Sequence, residues 1–410
     1  MSSAIHLLKL KCLALKLFLY RKIFIPLKAE QIRHKRNIKI IFVLENLGAW
    51  KSESLYLQML KDTRFNPLIV IGRSDEEDDC NNLRSYLETK KYIFKEVGYI
   101  GDSLWKDYKP DIIFYQKPYG GIFLNNLKAL FCYCPYSFHN SIQDWAFKTS
   151  FIYNSWQVYY ENPTLCDYYT TQLGKGSKNG YATGIPPMDE LLTPKELLEN
   201  PWKGDSTKKR IIFAPHHSIN PENWWQSSTF LETGEIMLEL AEKYSDKIQW
   251  AFKPHPLLRG KLEKIWGKER TDAYYNKWEN SEWSQYESGK YLGLFKYSDA
   301  MIHDCGSFIE EYHVTGNPVM YLIRKEEGTH DWNETVDEAY RLHQFGKTKE
   351  DIERFIINVI EGKDESKDKR IAFFRNNLTS PYGKTAAENI IECILDKKAA
   401  HKMRYKKFSN

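Results

Sequence analysis

Residues 298–312 read Ser-Asp-Ala-Met-Ile-His-Asp-Cys-Gly-Ser-Phe-Ile-Glu-Glu-Tyr and hold the pieces of an anion cradle. An apolar run ends at His303, a tight turn passes through Asp304, Cys305 and Gly306, and Ser307 stands where it would cap a following helix. Unpaired N–H groups at a helix start, a hydroxyl and a glycine that leaves room for close approach suit a pyrophosphate. The same residues also compose an ordinary N-cap, so the turn alone leaves both readings open. Lys253-Pro254-His255-Pro256 leaves a second apolar run, and Ala214-Pro215-His216-His217-Ser218 leaves a third. Three strand exits would thus carry His216, His217, His255 and His303 toward one sheet edge, which favours phosphate binding. A metal site also needs clustered histidines, but no HxxxH or His–carboxylate spacing accompanies these, and no metal is expected. Cys305 beside His303 has the composition of a thiolate nucleophile. Direct phosphoryl transfer needs no covalent intermediate, so a small residue within the turn is the simpler reading. In the first half of the chain, Tyr136-Ser137-Phe138-His139-Asn140-Ser141 places His139 in a loop after an apolar run.

The elements that must position these residues follow from the hydrophobic pattern. From Ile38 onward, short apolar runs alternate with helical stretches: IKIIFVLEN, PLIVIG, YIFKEV, KPDIIFYQKP, FCYCPYSF and WQVYYEN read as strands, SLYLQMLKD and DDCNNLRSYLETKK as helices. Such alternation marks a parallel sheet with crossover helices. Residues 187–209, rich in Pro, Gly, Ser and charge, read as a connection, after which KKRIIFAP, IQWAFKPHP, AMIHDCGS and PVMYLI restart the pattern. The expected organisation is α/β: a basic helical segment 1–36, α/β domains at 37–195 and 205–375, and a closing helix with a basic tail at 376–410. Tandem domains of this kind place a ligand in the cleft that they face.

A chain of 410 residues with 42% hydrophobic and 28% charged residues is too long for one core and too ordinary in composition for a disordered or polytopic membrane protein. The formal charge of +5 is unevenly spread: residues 1–39 hold ten Lys/Arg against Glu30, so the remainder is slightly acidic. That argues against nucleic acid as a partner. Residues 4–28 mix leucines, aromatics and lysines with no breaker before Pro26 and read as a helix. It either attaches to an anionic membrane surface or docks on its own body. Seven scattered cysteines suggest neither disulfides nor zinc. Ser74–Asp79 read as a solvated acidic loop, and Trp224, Trp225, Trp278 and Trp283 as core aromatics or stacking platforms.

The combination of APHHS, KPHPLL and SDAMIHDCGSFIEEY with TGNPVMYL, spanning about residues 38–360, resembles the CDP-glycerol glycerophosphotransferase family, which includes teichoic-acid primases and polymerases. The resemblance implies a GT-B architecture, two Rossmann-like domains facing across a cleft, with an N-terminal acceptor domain, a C-terminal nucleotide-donor domain and no cofactor beyond the donor. It implies donor binding by His255 and by the turn Asp304, Cys305, Gly306 and Ser307; His216, His217, Ser218 and Lys253 join this candidate donor site from the strand-exit pattern, His216-His217 standing where the family carries a Thr-aromatic-Arg sequence. His139, in an FHNS loop that resembles the family's Trp-His-Gly-Thr-Pro loop but lacks its Trp and Gly-Thr-Pro, becomes the catalytic base. Gly184-Ile185-Pro186 and Asp189 resemble the element that ends the family's first domain. The expected function is transfer of glycerol phosphate, or a related alditol phosphate, from CDP-glycerol to a hydroxyl of a membrane-bound polymer or glycan. The expected location is the cytoplasmic face of the membrane, held peripherally through residues 1–36. The alternatives are a nucleotide-sugar-dependent GT-B glycosyltransferase of capsule or surface polysaccharide synthesis, or a non-catalytic assembly factor.

Overall fold

The computed structural model describes residues 2–72, 77–99, 102–118, 122–141, 148–172, 178–220, 228–324 and 331–404. Ser74–Glu76, Trp224, Trp225 and the tail lysines Lys406 and Lys407 lie outside the described residues. The chain forms two compact units: Met1–Phe138, Gln143–Glu190 and Thr379–Asn410 make the first, and His139–Ile142 with Leu191–Leu378 make the second.

The first unit is built on seven strands: β1 (Ile38–Leu44), β2 (Phe65–Gly72), β3 (Phe94–Val97), β4 (Ile112–Tyr115), β5 (Leu130–Tyr133), β6 (Gln157–Tyr160) and β7 (Gly180–Ala182). They lie in the order β3-β2-β1-β4-β5-β6-β7, all parallel. Six of the seven β1 residues are buried, as expected of a strand covered on both faces. The second unit repeats the scheme with β8 (Lys209–Ala214), β9 (Ile248–Phe252), β10 (Ser284–Tyr286), β11 (Ala300–His303), β12 (Val319–Leu322) and β13 (Gln344–Gly346). Their order is β10-β9-β8-β11-β12-β13, again parallel. Each sheet reverses its winding once, at β1/β4 and at β8/β11, and carries an apolar layer on both faces.

Two segments differ from the sequence reading, and a third runs longer than read. The N-terminal helix expected over 4–28 continues past Pro26 to Arg33: α1 (Ser2–Leu19) passes through a π-turn at Tyr20–Phe24 into α2 (Ile25–Arg33). Proline lacks the N–H that would continue the ladder, and the wider turn, in which Ile25 N–H reaches Tyr20 O, accommodates its ring. The terminal helices Ala386–Leu395 and Lys397–Met403 return to the first unit, burying Ala387, Ile390, Ile394 and Met403 in its core. Asp189 clasps them there, accepting from Ala386 N–H at 2.7 Å and Ala387 N–H at 3.0 Å. Gly184, at φ +76°, allows the approach, since a Cβ would meet Ser380 Oγ at 2.5 Å. Finally, His139–Ser141, expected in the first domain, pack with the second unit because their backbone groups find partners there: Asn333 N–H donates to Asn140 O at 3.1 Å and Asn333 Nδ2 to His139 O.

His303 is also corrected. It does not reach the sheet edge with the other histidines but is fully buried. His343 Nδ1–H donates to Ala339 O (2.9 Å), so His343 Nε2 accepts from His303 Nε2–H (3.2 Å); His303 Nδ1 then accepts Cys305 N–H (3.2 Å), with Cys305 O also 3.1 Å away. His313 Nε2–H meets the same carbonyl at 3.1 Å. Burial holds all three imidazoles neutral, His343 down to about 4 and His303 and His313 well below the ordinary value. Because the folded values lie below the unfolded value of about 6.5, the stability contributed is complete above that pH and is lost as pH falls toward 4. Thermal melts from pH 7 to pH 5 should show this loss, at up to about 1.4 kcal/mol per pH unit for each titrating group. His343→Phe, although less stable at pH 7, should lose less over that interval; equal slopes for the two proteins would contradict the chain of protons described.

Candidate functional site

In open α/β sheets ligands settle outside the carboxyl ends of the strands where the winding reverses. In the second unit that place is the exit of β8 into Pro215-His216-His217-Ser218 beside the exit of β11 into Asp304–Ser307, with the β9 exit at Lys253-Pro254-His255 alongside. One buried carboxylate fixes the three pieces. Asp304 Oδ1 accepts His216 N–H at 2.6 Å, while Oδ2 accepts Thr229 N–H at 2.6 Å, Ser228 Oγ–H at 3.0 Å and Thr229 Oγ1–H at 3.1 Å. Ser228 and Thr229 precede the helix Phe230–Lys243, so Asp304 ties β8, β11 and that helix together. Burial raises its pKa to about 6, and the four donors work against that rise. Asp304 therefore organises the turn and does not present its carboxylate to a ligand. His255 N–H joins the β9 loop to the same frame through Pro215 O at 2.9 Å.

On this frame His216, His217 and His255 form a triangle of rings with centroids 4.3, 5.1 and 4.1 Å apart. Their tautomers follow from their partners. Ser218 N–H donates to His216 Nδ1 (3.3 Å), Leu257 N–H to His255 Nδ1 (3.2 Å), and the Lys261 ammonium to His217 Nδ1 (2.7 Å). A backbone N–H and an ammonium can only donate, so each Nδ1 accepts and each Nε2 carries the proton. Burial and neighbouring positive or titratable groups lower all three, His216 to about 3 and His255 to about 4. The result is a partly exposed cluster of three neutral N–H donors with an ammonium behind it.

These three rings are the group among the described residues that meets the spacing for a metal ion, their ligand atoms lying within 4.8 Å of one another. A cation bound through Nε2 would need a tautomer change that breaks the three Nδ1 contacts, one bound through Nδ1 would displace their present donors, and either would sit beside Lys261. Donor N–H groups and an ammonium fit an anion instead.

The remaining candidates divide. Ser218, 4% exposed, orients His216, its Oγ lying 2.8 Å from Nδ1. Lys253, 8% exposed, donates to Gly289 O at 2.9 Å. Burial pushes the Cys305 thiol up to about 12, so it stays protonated and is no nucleophile. Gly306 has room: a Cβ would touch only Asn140 Nδ2, at an ordinary 3.9 Å. Ser307 is exposed but caps nothing; its backbone is already helical and the helix it precedes, Phe308–Glu311, is four residues long. Positive potential at this turn thus comes from the imidazoles and Lys261 more than from a helix end. His139 is 7% exposed, and its neighbour Asn140 donates to Gly306 O at 3.1 Å, so its loop abuts the turn. Sequence reading missed Lys261, Asn140, Asn333, Ser228 and Thr229. Asn140 stands inside the FHNS loop, whereas Lys261 lies on the separate helix Leu258–Trp266, with no local signal to join it to His217.

Two substitutions in this turn should behave oppositely. Asp304→Ala leaves two buried backbone N–H groups unsatisfied and should cost on the order of 3 kcal/mol in chemical denaturation. Gly306→Ala, at a position neither crowded nor at positive φ, should melt at or slightly above the wild-type temperature. A stable Asp304→Ala protein would remove the carboxylate from its organising role.

The profile of the family described as CDP-glycerol:poly(glycerophosphate) glycerophosphotransferase matches residues 154–396, more than half of the chain. No curated protein sequence matches it. Among solved structures, the wall teichoic acid polymerase TagF, as a histidine-to-asparagine variant, is 12% identical with a TM-score of 0.61, covering 90% of each chain. The same variant soaked with CDPG is 13% identical at 0.55, again over 90% of each chain. UDP-GlcNAc 2-epimerase from Neisseria meningitidis, bound to UDP-GlcNAc, is 17% identical at 0.58, covering 88% of this chain and 99% of that one. At such identities the likeness is one of fold, the GT-B class of paired Rossmann-type domains. With its matched span reaching from β6 to the clasped terminal helix, and the histidine cluster inside that span, this chain belongs to the CDP-glycerol:poly(glycerophosphate) glycerophosphotransferase family and is a transferase of that type.

Proposed function

We propose that the chain transfers glycerol phosphate, or a related alditol phosphate, from a CDP-activated donor to a hydroxyl of a membrane-bound cell-surface polymer or glycan, and that it does so peripherally on the cytoplasmic face of the membrane. The observation that carries the reading is the triad of Nε2–H donors backed by Lys261 at the β8/β9/β11 strand exits. In this reading His216, His217 and His255 hold the donor diphosphate, with the open turn at Gly306 and the Ser307 hydroxyl beside it. His139 accepts the proton of the acceptor hydroxyl, whose oxygen forms the new bond to the distal phosphorus. The bond from that phosphorus to the bridging oxygen breaks, and the bridging oxygen departs with CMP. N–H donors and an ammonium aimed at the diphosphate stabilise the charge that grows there. Asn140 and Asn333 position the His139 loop against the turn. The reaction as proposed draws on no metal or further cofactor.

A dianionic donor beside neutral imidazoles raises their pKa, so by linkage binding takes up protons and tightens as pH falls from 8 to 6. Calorimetry with CDP-glycerol in two buffers of different ionisation enthalpy should register that uptake. His255→Ala should weaken donor affinity about ten- to hundredfold, the loss of one hydrogen bond to a charged group. Wild-type affinity in that variant, with no proton exchange, would exclude the histidine cluster as the donor site.

The membrane part of the proposal rests on α1. Leu7, Leu8, Leu10, Leu15 and Phe18 are each at least half exposed, and Lys9, Lys11 and Lys16 are exposed among them. Among the described residues no helix is long and apolar enough to cross a membrane, so this surface suits lying in an interface. Tyr20, Ala29 and Ile32 belong to the core, so a clean truncation must end before them. Deletion of residues 2–16 should leave the melting temperature unchanged and lower affinity for phosphatidylglycerol-containing vesicles about a hundredfold, roughly 1 kcal/mol for each lysine removed. Undiminished vesicle binding would show that α1 is not the attachment.

A further inference from the structure

A second basic site lies in the first unit, where the π-turn and α2 meet β7 and the C-terminal segment. A cavity of about 400 Å³ there is lined by Arg21, Lys22, Arg33, Lys178, Lys397 and Arg404, with Glu30 as the one acidic residue. The volume falls in the range of about 300–1,000 Å³ typical of small-ligand sites. Two of the cations are held in place yet keep unfilled donors: Arg21 stacks over Tyr153, 4.0 Å from its ring centre, and Arg33 reaches Glu30 at 3.2 Å, while the buried Nε–H of each donates to nothing among the described residues. Arg404 is pinned by its Nε–H to Lys178 O and by a bridge between its backbone and Tyr181. Six converging positive charges against one negative charge are unfavourable unless an anion joins them, and unfilled guanidinium donors are the groups that chelate phosphate oxygens.

We infer that this cavity binds the phosphate head group of an anionic lipid. The phosphate chemistry follows from the cations; the lipid source follows from what adjoins them. Ile23 (53% exposed) and Leu27 (62% exposed) stand on the same helical segment as Arg21 and Lys22, and continue the exposed apolar surface of α1. A head group within the cavity leaves its acyl chains beside apolar side chains that otherwise face water. The inference deepens the membrane reading given above and depends on it only for the source of the phosphate. It is independent of the donor site and its histidines.

The test uses the full-length protein and short-chain lipids below their micelle concentration, so that no bilayer is involved and failure of vesicle attachment through α1 would leave the result interpretable. Calorimetric titration with dihexanoyl phosphatidylglycerol should give binding at one site per chain, and dihexanoyl phosphatidylcholine should bind at least tenfold more weakly. Lys22, Lys178 and Lys397 are exposed, so Lys22→Gln/Lys178→Gln/Lys397→Gln should melt like wild type and lose at least tenfold in affinity for the anionic lipid. Lys9→Gln/Lys11→Gln/Lys16→Gln, which removes the same charge from α1, should bind it like wild type. Three results would each overturn the inference: no binding of the anionic lipid, equal loss in both triple variants, or glycerol 3-phosphate binding as tightly as the lipid, which would identify a soluble phosphate site.

Discussion

The architecture of the second unit depends on the carboxylate of Asp304. A charged group with no exposure is tolerated only when its lone pairs are filled, and here four donors from two other chain segments fill them. That requirement works in both directions. The donors solvate the carboxylate inside the protein, and the carboxylate dictates where the β8 loop and the start of the Phe230–Lys243 helix must lie. The histidine triangle inherits its geometry from that constraint, because His216 is the residue whose backbone N–H Asp304 receives, and His255 is fastened to Pro215 immediately before it.

The histidines of this unit show how one side chain serves two purposes according to what its second nitrogen meets. A donor fills Nδ1 of His216, His217 and His255, which sets the proton on Nε2, and in His303 the acceptor at His343 Nε2 sets it there too. For His303 that proton enters another ring, His343, and the chain ends on a backbone carbonyl, so its polarity is consumed in the core. For the three at the strand exits the rings are partly exposed, and no other ring or carbonyl among the described residues takes up Nε2–H. The depressed pKa values are common to both groups, and for that reason do not by themselves mark function. Exposure and the destination of the proton separate them.

Much of this was legible in the sequence, and the failures have definite physical causes. Parallel strands announced themselves as continuous apolar runs at Ile38–Leu44, Lys209–Ala214 and Ala300–His303, because both faces of such strands are covered. The strand exits carrying His216, His217 and His255 were identifiable from the same pattern. His303 was misplaced because the end of a strand and the start of its loop differ by one residue, which decides whether a side chain turns inward. Ser307 carried the composition of a cap, but a cap needs an extended backbone, and Ser307 is already helical. The helix over 4–28 was legible, but nothing local reveals that a π-turn at Tyr20–Phe24 precedes Pro26. Lys261 and Asn333 were invisible for a different reason: their roles exist only through contacts made far along the chain, at His217 and His139.

Charge shows the same limit of composition as a guide. The basic N-terminal stretch counts as a single field in the sequence, yet its residues separate on folding. Lys28 and Lys35 close on the buried carboxylate of Asp111, at 2.7 and 2.5 Å, and anchor α2 and the residues after it there. Lys9, Lys11 and Lys16 stay on the surface of α1 among exposed leucines. Arg21, Lys22 and Arg33 turn into a cavity whose walls add Lys178, Lys397 and Arg404 from the far end of the chain. Three subsets of one sequence run therefore hold a fold, coat a helix and surround a void. The third is the one whose charge is concentrated, six cations against the single carboxylate of Glu30. Electrostatic attraction falls steeply with separation and with screening, so six cations around a single void act on one phosphate far more strongly than the same number scattered along a helix. The concentration of positive charge around this cavity is consequently a property of where the C-terminal segment returns, bringing Lys397 and Arg404 to Arg33, and not of the N-terminal charge count alone.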